Sequence, residues 1–227
     1  MSKINNELLE YLNSIEIFDT HEHLPPYEDA RFKDTDVLKE YMNQYVSTDM
    51  ISAGLPVKEL EKLFDTSIPL VDRWKIAEKY WDICRYTGHG RALTLSVKEL
   101  YGIDNINRET ILDLNVQFVK SLEPGHYKKV LKEKSKIRIS INDRFENQSL
   151  DCDKEYFKSA CRLDPFIFPS SKASLMQVKE EGERMISSFD NWLLSCETAF
   201  NSAFEKGAVC IKMDHAYNRT LKHDFVT

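Results

Sequence analysis

Ile15-Glu16-Ile17-Phe18-Asp19-Thr20-His21-Glu22-His23-Leu24 begins as an apolar run, ends in His-x-His and is followed by Pro25-Pro26. Side chains alternate between the faces of a strand, so Asp19, His21 and His23 point the same way in an extended chain. The apolar run reads as a buried strand over residues 15–21, and the prolines stop it. Two imidazoles on one face at the end of a buried strand can hold one divalent metal, and zinc accepts imidazole nitrogen readily. A bare His-x-His is more often two surface histidines at a loop entry. The Asp-Thr-His-Glu-His-Leu setting is what favours the metal.

Working outward, the 227 residues suggest one large domain or two small ones, enough to bury a sizeable core. With 42% hydrophobic and 30% charged residues, the composition is that of an ordinary globular protein. The net charge of -6 and the lack of a basic stripe argue against nucleic acid as a partner. No apolar run approaches the ~18 residues of a membrane span, and the charged N-terminus lacks a signal-peptide core. Five widely spaced cysteines (84, 152, 161, 196, 210) without a C-x-x-C read as reduced thiols, which places the expected compartment in the cytoplasm.

Residues 3–13 read as a short helix with Leu8, Leu9 and Leu12 on one face. From about 35 to 122 the pattern is helical and strand-poor. Candidate helices run from Asp36 to Tyr45, from Val57 to Phe64, over 70–86 and over 109–122. Trp74, Ala77, Trp81 and Cys84 form one amphipathic stripe, and Ile111, Leu114, Phe118 and Leu122 form another. A plain βα link is far shorter, so this span reads as a helical insertion at the C-terminal face of a barrel. Lys136 to Asn142 alternates as strand two. Arg162 to Pro169 reads as strand three, with a kinked entry at Asp164-Pro165. Ser174-Leu-Met-Gln177 fits a capping box, and a helix over 190–206 would turn Leu193, Cys196, Phe200 and Phe204 inward before a glycine cap at Gly207. Ala208 to Met213 is strand four, with Val209, Ile211 and Met213 on the outer face and Lys212 on the inner one.

With these stretches in view, the chain resembles the amidohydrolase superfamily. Ile-Phe-Asp-Thr-His-Glu-His is similar to that superfamily's first barrel strand. Tyr86-Thr-Gly-His-Gly-Arg-Ala-Leu93, Leu100-Tyr-Gly-Ile-Asp104 and Gly207-Ala-Val-Cys-Ile-Lys212 resemble its amidohydrolase-related branch of metal-dependent hydrolases on the TIM-barrel fold. Uronate isomerases are more distant relatives. The resemblance implies a partial (β/α) barrel of the α/β class. About four parallel strands would come from residues 1–34 and 123–227, with 35–122 inserted after strand one. It also implies His21 and His23 as ligands of a divalent metal, most simply zinc, in a hydrolase whose metal-activated water attacks a C–N or C–O bond.

The resemblance gives Lys212 a role as a further metal ligand, carboxylated in some relatives to bridge two metals. The bland reading is a lysine that salt-bridges inside the barrel or grips an anion. Arg91, Tyr217 and Arg219 are candidates for substrate binding, Arg91 through a bidentate carboxylate contact. Each has its ordinary alternative, a helix-bridging arginine or a solvated loop residue. His215 is a loop histidine of the same kind. Asp19 could support a ligand histidine from behind. His89 lies in a Thr-Gly-His-Gly-Arg turn and is not assigned to catalysis, and His126 and His223 have no interpretable context. No Gly-x-Ser-x-Gly elbow or phosphate loop is present. The family's later histidines and its general-base aspartate have no counterpart here, and a full barrel takes ~250 residues without insertions. The chain therefore reads as the front half of such an enzyme, acting on a small molecule and either self-associating or missing a C-terminal half. Two alternatives stand beside the hydrolase: a uronate isomerase-like or decarboxylase-like enzyme on the same scaffold, and a non-catalytic fragment or interaction subunit.

Overall fold

A computed structural model describes residues 3–31, 33–144, 150–167, 169, 171–181, 186–217 and 219–222. The chain opens with helix α1 (Lys3–Ser14) and strand β1 (Ile17–Glu22). Helices α2 (Val37–Tyr41), α3 (Tyr45–Ser52), α4 (Val57–Phe64), α5 (Leu70–Cys84), α6 (Gly88–Tyr101) and α7 (Ile111–Lys120) follow. Strands β2 (Ile137–Asn142) and β3 (Phe157–Arg162) come next, then helices α8 (Asp164–Ile167), α9 (Lys172–Glu181) and α10 (Phe189–Glu205), and strand β4 (Ala208–Lys212). Two compact units result: Met1–Tyr27 with Tyr127–Thr227, and Glu28–His126.

The first unit carries one sheet of four parallel strands in the order β1-β2-β3-β4. Parallel strands in sequential order, with described helices between β1 and β2 and between β3 and β4, have the connectivity of a partial TIM-type (β/α) barrel. Behind the sheet, Tyr127, Leu131 and Phe157 form one small cluster, and Cys161, Ala203 and Ala208 another. A π-helical segment, Lys128–Lys134, leads into β2.

Four sequence readings need correction in this unit. Strand one is Ile17–Glu22 rather than 15–21, and it is mostly exposed rather than buried because it lies at an edge of the sheet among the described residues. Strand three is Phe157–Arg162, not 162–169. Five of its six residues are buried or partly buried, which hides the alternation, and Asp164-Pro165 opens a short helix, where proline is tolerated in the first turn. The cap of α9 is Ser171 rather than Ser174: the two serines exchange backbone and hydroxyl hydrogen bonds at 3.1 Å. Helix α10 turns Ser195, Ala199 and Ala203 inward and leaves Leu193, Phe200 and Phe204 exposed. Small residues recur at i, i+4 and i+8 on the buried face, while Trp192 and Cys196 pack partly buried against Phe166 and Val178. Gly207, with φ of +100°, takes the left-handed turn after this helix, as its position suggested.

Strands β1 and β4 are the sheet edges among the described residues, and Phe18 on β1 is 54% exposed, with Ile17, Val209 and Ile211 also exposed. A parallel sheet is ordinarily covered on both faces, and open edges recruit other strands. We expect this polypeptide by itself to associate at micromolar concentration. Light scattering checks this, and a monodisperse monomer would count against it.

Every regular element described in Glu28–His126 is helical. Its core is a single cluster built on the two stripes read from the sequence: Trp74, Ala77, Trp81 and Cys84 from α5, and Ile111, Leu114 and Phe118 from α7. The helix expected over 36–45 is instead two, broken between Met42 and Gln44, where Gln44 takes a φ of +54°. Thr87-Gly-His-Gly-Arg is not a free turn. Thr87 caps α6 by accepting from the Gly90 amide. At Gly90, a Cβ would sit 2.1 Å from the Cys84 carbonyl oxygen and 2.7 Å from Arg85 Cα, both backbone atoms. Gly90→Ala is therefore expected to cost about 1–3 kcal/mol by forcing α5 and α6 apart, readable in urea unfolding. Wild-type stability in that variant would show that the contact is not tight.

Candidate functional site

All four strands deliver functional side chains at their C-terminal ends, the face on which barrel enzymes place their chemistry. β1 supplies His21 and, one residue beyond its end, His23. The register between β1 and β2 slips between Asp19 and Glu22, a bulge-like irregularity in the stretch that holds His21. The two rings stand edge to face with centroids 4.6 Å apart, so both imidazoles serve one place. Asp143 follows β2 directly and its amide donates to the Glu22 carbonyl, extending the ladder. Arg162 ends β3 and Lys212 ends β4.

Asp143 is the centre of this group. Its side chain is 1% exposed. Arg162 holds it with two parallel hydrogen bonds, Nε to Oδ1 at 2.8 Å and Nη2 to Oδ2 at 2.9 Å. Lys212 Nζ adds a third at 3.0 Å to Oδ2. Burial pushes the Asp143 carboxyl up, but the hydrogen bonds from Arg162 and Lys212 outweigh it and hold the group below the ordinary carboxylate range. Arg162 is raised in turn, first by its bond to Asp143.

The imidazoles are oriented from behind. His23 Nδ1 lies 2.6 Å from the main-chain oxygen of Asp143. A carbonyl only accepts, so Nδ1 carries the proton and Nε2 is the ring's acceptor atom. His21 Nδ1 lies 3.2 Å from Lys212 Nζ and 3.8 Å from Asp143 Oδ2. Asp19 does not reach a ring. Its carboxylate accepts from the His21 backbone amide at 3.2 Å, so it braces the strand, which corrects the supporting role considered for it.

One ligand atom each from His21, His23 and Asp143 falls within 4.8 Å of the others. Two imidazoles and a carboxylate are a donor set for a divalent ion of the catalytic kind, with room left for water or substrate. The fixed Nδ1 proton of His23 is the second-sphere arrangement such ligands use. The residues present therefore fit a metal. Asp143 is the member that sequence reasoning missed.

Beside this group, Arg162 also pairs with Asp214, whose amide donates to Asp164 Oδ1 at 2.7 Å. Asp164 is pushed up, chiefly by burial. Asp214 is held down: burial opposes this, but hydrogen bonds from Asp164 and Arg162 win. The two neighbouring carboxyls are thus pushed in opposite directions.

The remaining candidates fall elsewhere. Tyr217 is almost wholly exposed, in a short 3-10 turn with the half-buried His215. Arg219 Nε donates to the carbonyl of Thr220. Arg91 is an exposed residue in the first turn of α6, within the helical unit. His89, in that same turn, stacks on Tyr45 and places Nδ1 3.2 Å from Asp49 Oδ2. His223 lies outside the described residues.

Fold and site together define part of a (β/α) barrel with a candidate metal centre at its strand ends. No family model and no curated protein matches the sequence. Solved structures do. A uronate isomerase from Thermotoga maritima matches with a TM-score of 0.73 at 17% identity, over 94% of this chain and 49% of that one. A glucuronate isomerase from Caulobacter crescentus matches at 0.66 and 15% identity, over 88% and 46%. A uronate isomerase from Bacillus halodurans matches at 0.68 and 12%, over 92% and 51%. At these identities the likeness shows the fold alone. The chain spans about half the length of these structures.

Proposed function

We propose that this chain is the front portion of a metal-dependent enzyme of the amidohydrolase type, and that its reaction is the interconversion of the aldose and ketose forms of a uronic acid. The observation that carries this reading is the fold likeness, which at 94% coverage takes in the helical unit as well as the strands and joins the chain to sugar-acid isomerases. The site is consistent with it. His21, His23 and Asp143 would hold the ion, zinc or another divalent metal, which polarises substrate oxygens when bound. Isomerisation moves a proton between neighbouring carbons. Asp164 and Asp214 are neighbouring carboxyls whose environments push them apart, Asp164 up and Asp214 down, which suits a group that gives or takes a proton.

Hydrolysis of a C–N or C–O bond, and decarboxylation, are the neighbouring reactions on the same scaffold. Incubating the purified, metal-loaded chain with hexuronates, amides and lactones, and following products by NMR, separates them. A ketose from a hexuronate supports the isomerase. An amine or a ring-opened acid points to the hydrolase, and carbon dioxide to the decarboxylase. No turnover of any of them leaves the chain as a non-catalytic fragment or subunit. The five cysteines are all free thiols, which fits a reducing cytoplasm, and no helix among the described residues is long and apolar enough to cross a membrane.

A further inference from the structure

Lys212 sits where a cation belongs. Its Nζ lies 3.0 Å from Asp143 Oδ2 and 3.2 Å from His21 Nδ1, on two of the three residues of the candidate metal centre. An ammonium has donors and no acceptor, so in this arrangement it uses the lone pair of His21 and one acceptor site of Asp143. A divalent ion held through His21 Nδ1 and Asp143 Oδ2 would need those same electrons. It would also face a neighbouring positive charge a few ångströms away.

We propose that Lys212 is a built-in competitor for the metal, holding the place of the ion until the ion displaces it. The proposal rests on the reading that His21, His23 and Asp143 form the metal centre. Three features make displacement possible. The Lys212 side chain is 31% exposed on a flexible four-carbon stem, so its head group can swing to solvent. Arg162 is only 11% exposed and grips both oxygens of Asp143, so the carboxylate keeps its orientation when the lysine leaves. A carboxylate has about four acceptor sites. Arg162 and Lys212 take three of them, and withdrawal of the lysine frees one on the oxygen nearest His21. The competitor role and a ligand role for Lys212 predict opposite signs when the amine is removed.

The experiment is a calorimetric zinc titration of the apo chain, comparing wild type, Lys212→Met, Lys212→Gln and the His21→Ala/His23→Ala double variant. Lys212→Gln keeps a hydrogen-bond donor for Asp143 without the charge, so it serves if the methionine variant does not fold. Removing the competing cation is expected to tighten zinc binding by about tenfold or more in either lysine variant, and the histidine double variant is expected to lose it. Unchanged or weaker binding in the lysine variants, with binding still dependent on the histidines, overturns the competitor role and leaves the metal centre standing. Zinc binding that is absent from wild type, or that survives loss of both histidines, overturns the metal reading and this proposal with it.

Discussion

Asp36→Ala should be among the most damaging single substitutions in the helical unit, at about 3–5 kcal/mol. Asp36 does two jobs. It caps α2, accepting from the amides of Leu38 and Lys39 at 3.1 Å, a contribution of about 1 kcal/mol. It also neutralises Arg73, whose side chain is 2% exposed and whose other donors go to the carbonyls of Ile68 at 2.8 Å and Leu63 at 3.1 Å. Truncating Asp36 leaves a buried guanidinium with neutral acceptors only, and desolvation of that charge dominates the loss. A control follows from the same physics. Asp36→Asn keeps the cap and loses the charge, so it should fall between wild type and Asp36→Ala. Asp36→Asn combined with Arg73→Met removes both charges and should recover part of the loss. Denaturant unfolding measures all three, and a cost below about 1 kcal/mol for Asp36→Ala would mean that the pair is solvated in solution.

The second large effect lies at the strand ends. Asp143→Ala removes the anion shared by Arg162 and Lys212. Arg162 keeps Asp214, while Lys212 keeps His21 as its remaining hydrogen-bond partner near the site. The expected cost is again about 3–5 kcal/mol, together with loss of zinc binding, because one ligand of three is gone. Asp143→Asn keeps an acceptor of the same shape and should recover part of the stability without recovering the metal. Thermal unfolding and zinc titration on the two variants read the two effects separately. A stable Asp143→Ala that still binds zinc would remove this residue from the centre.

Some of this was legible in the residues themselves. The stripes of α5 and α7 are strong because large apolar side chains recur at helical spacing and have one core to fill. His21 and His23 stand out because two imidazoles close a short apolar run. Asp143 has no such local signature. It sits in Asn142-Asp143-Arg144, which reads as a polar strand exit, and its meaning comes from Arg162 and Lys212, brought beside it by strands far along the chain. The aromatic stripe of α10 misled for a related reason. Periodicity finds a face, but whether that face or the small-residue face beside it meets the sheet depends on how close the helix must come. Strand β3 was displaced because burial on both sides erases alternation.

The central claim is that His21, His23 and Asp143 form one metal centre. Anomalous diffraction at the zinc edge, from crystals of the zinc-loaded chain, tests it directly. The account predicts one strong peak at the strand ends, bonded to both imidazoles and to the Asp143 carboxylate, with ligand distances of ~2.0–2.2 Å. An empty centre beside a fully occupied zinc elsewhere, for example between His89 and Asp49, would contradict it.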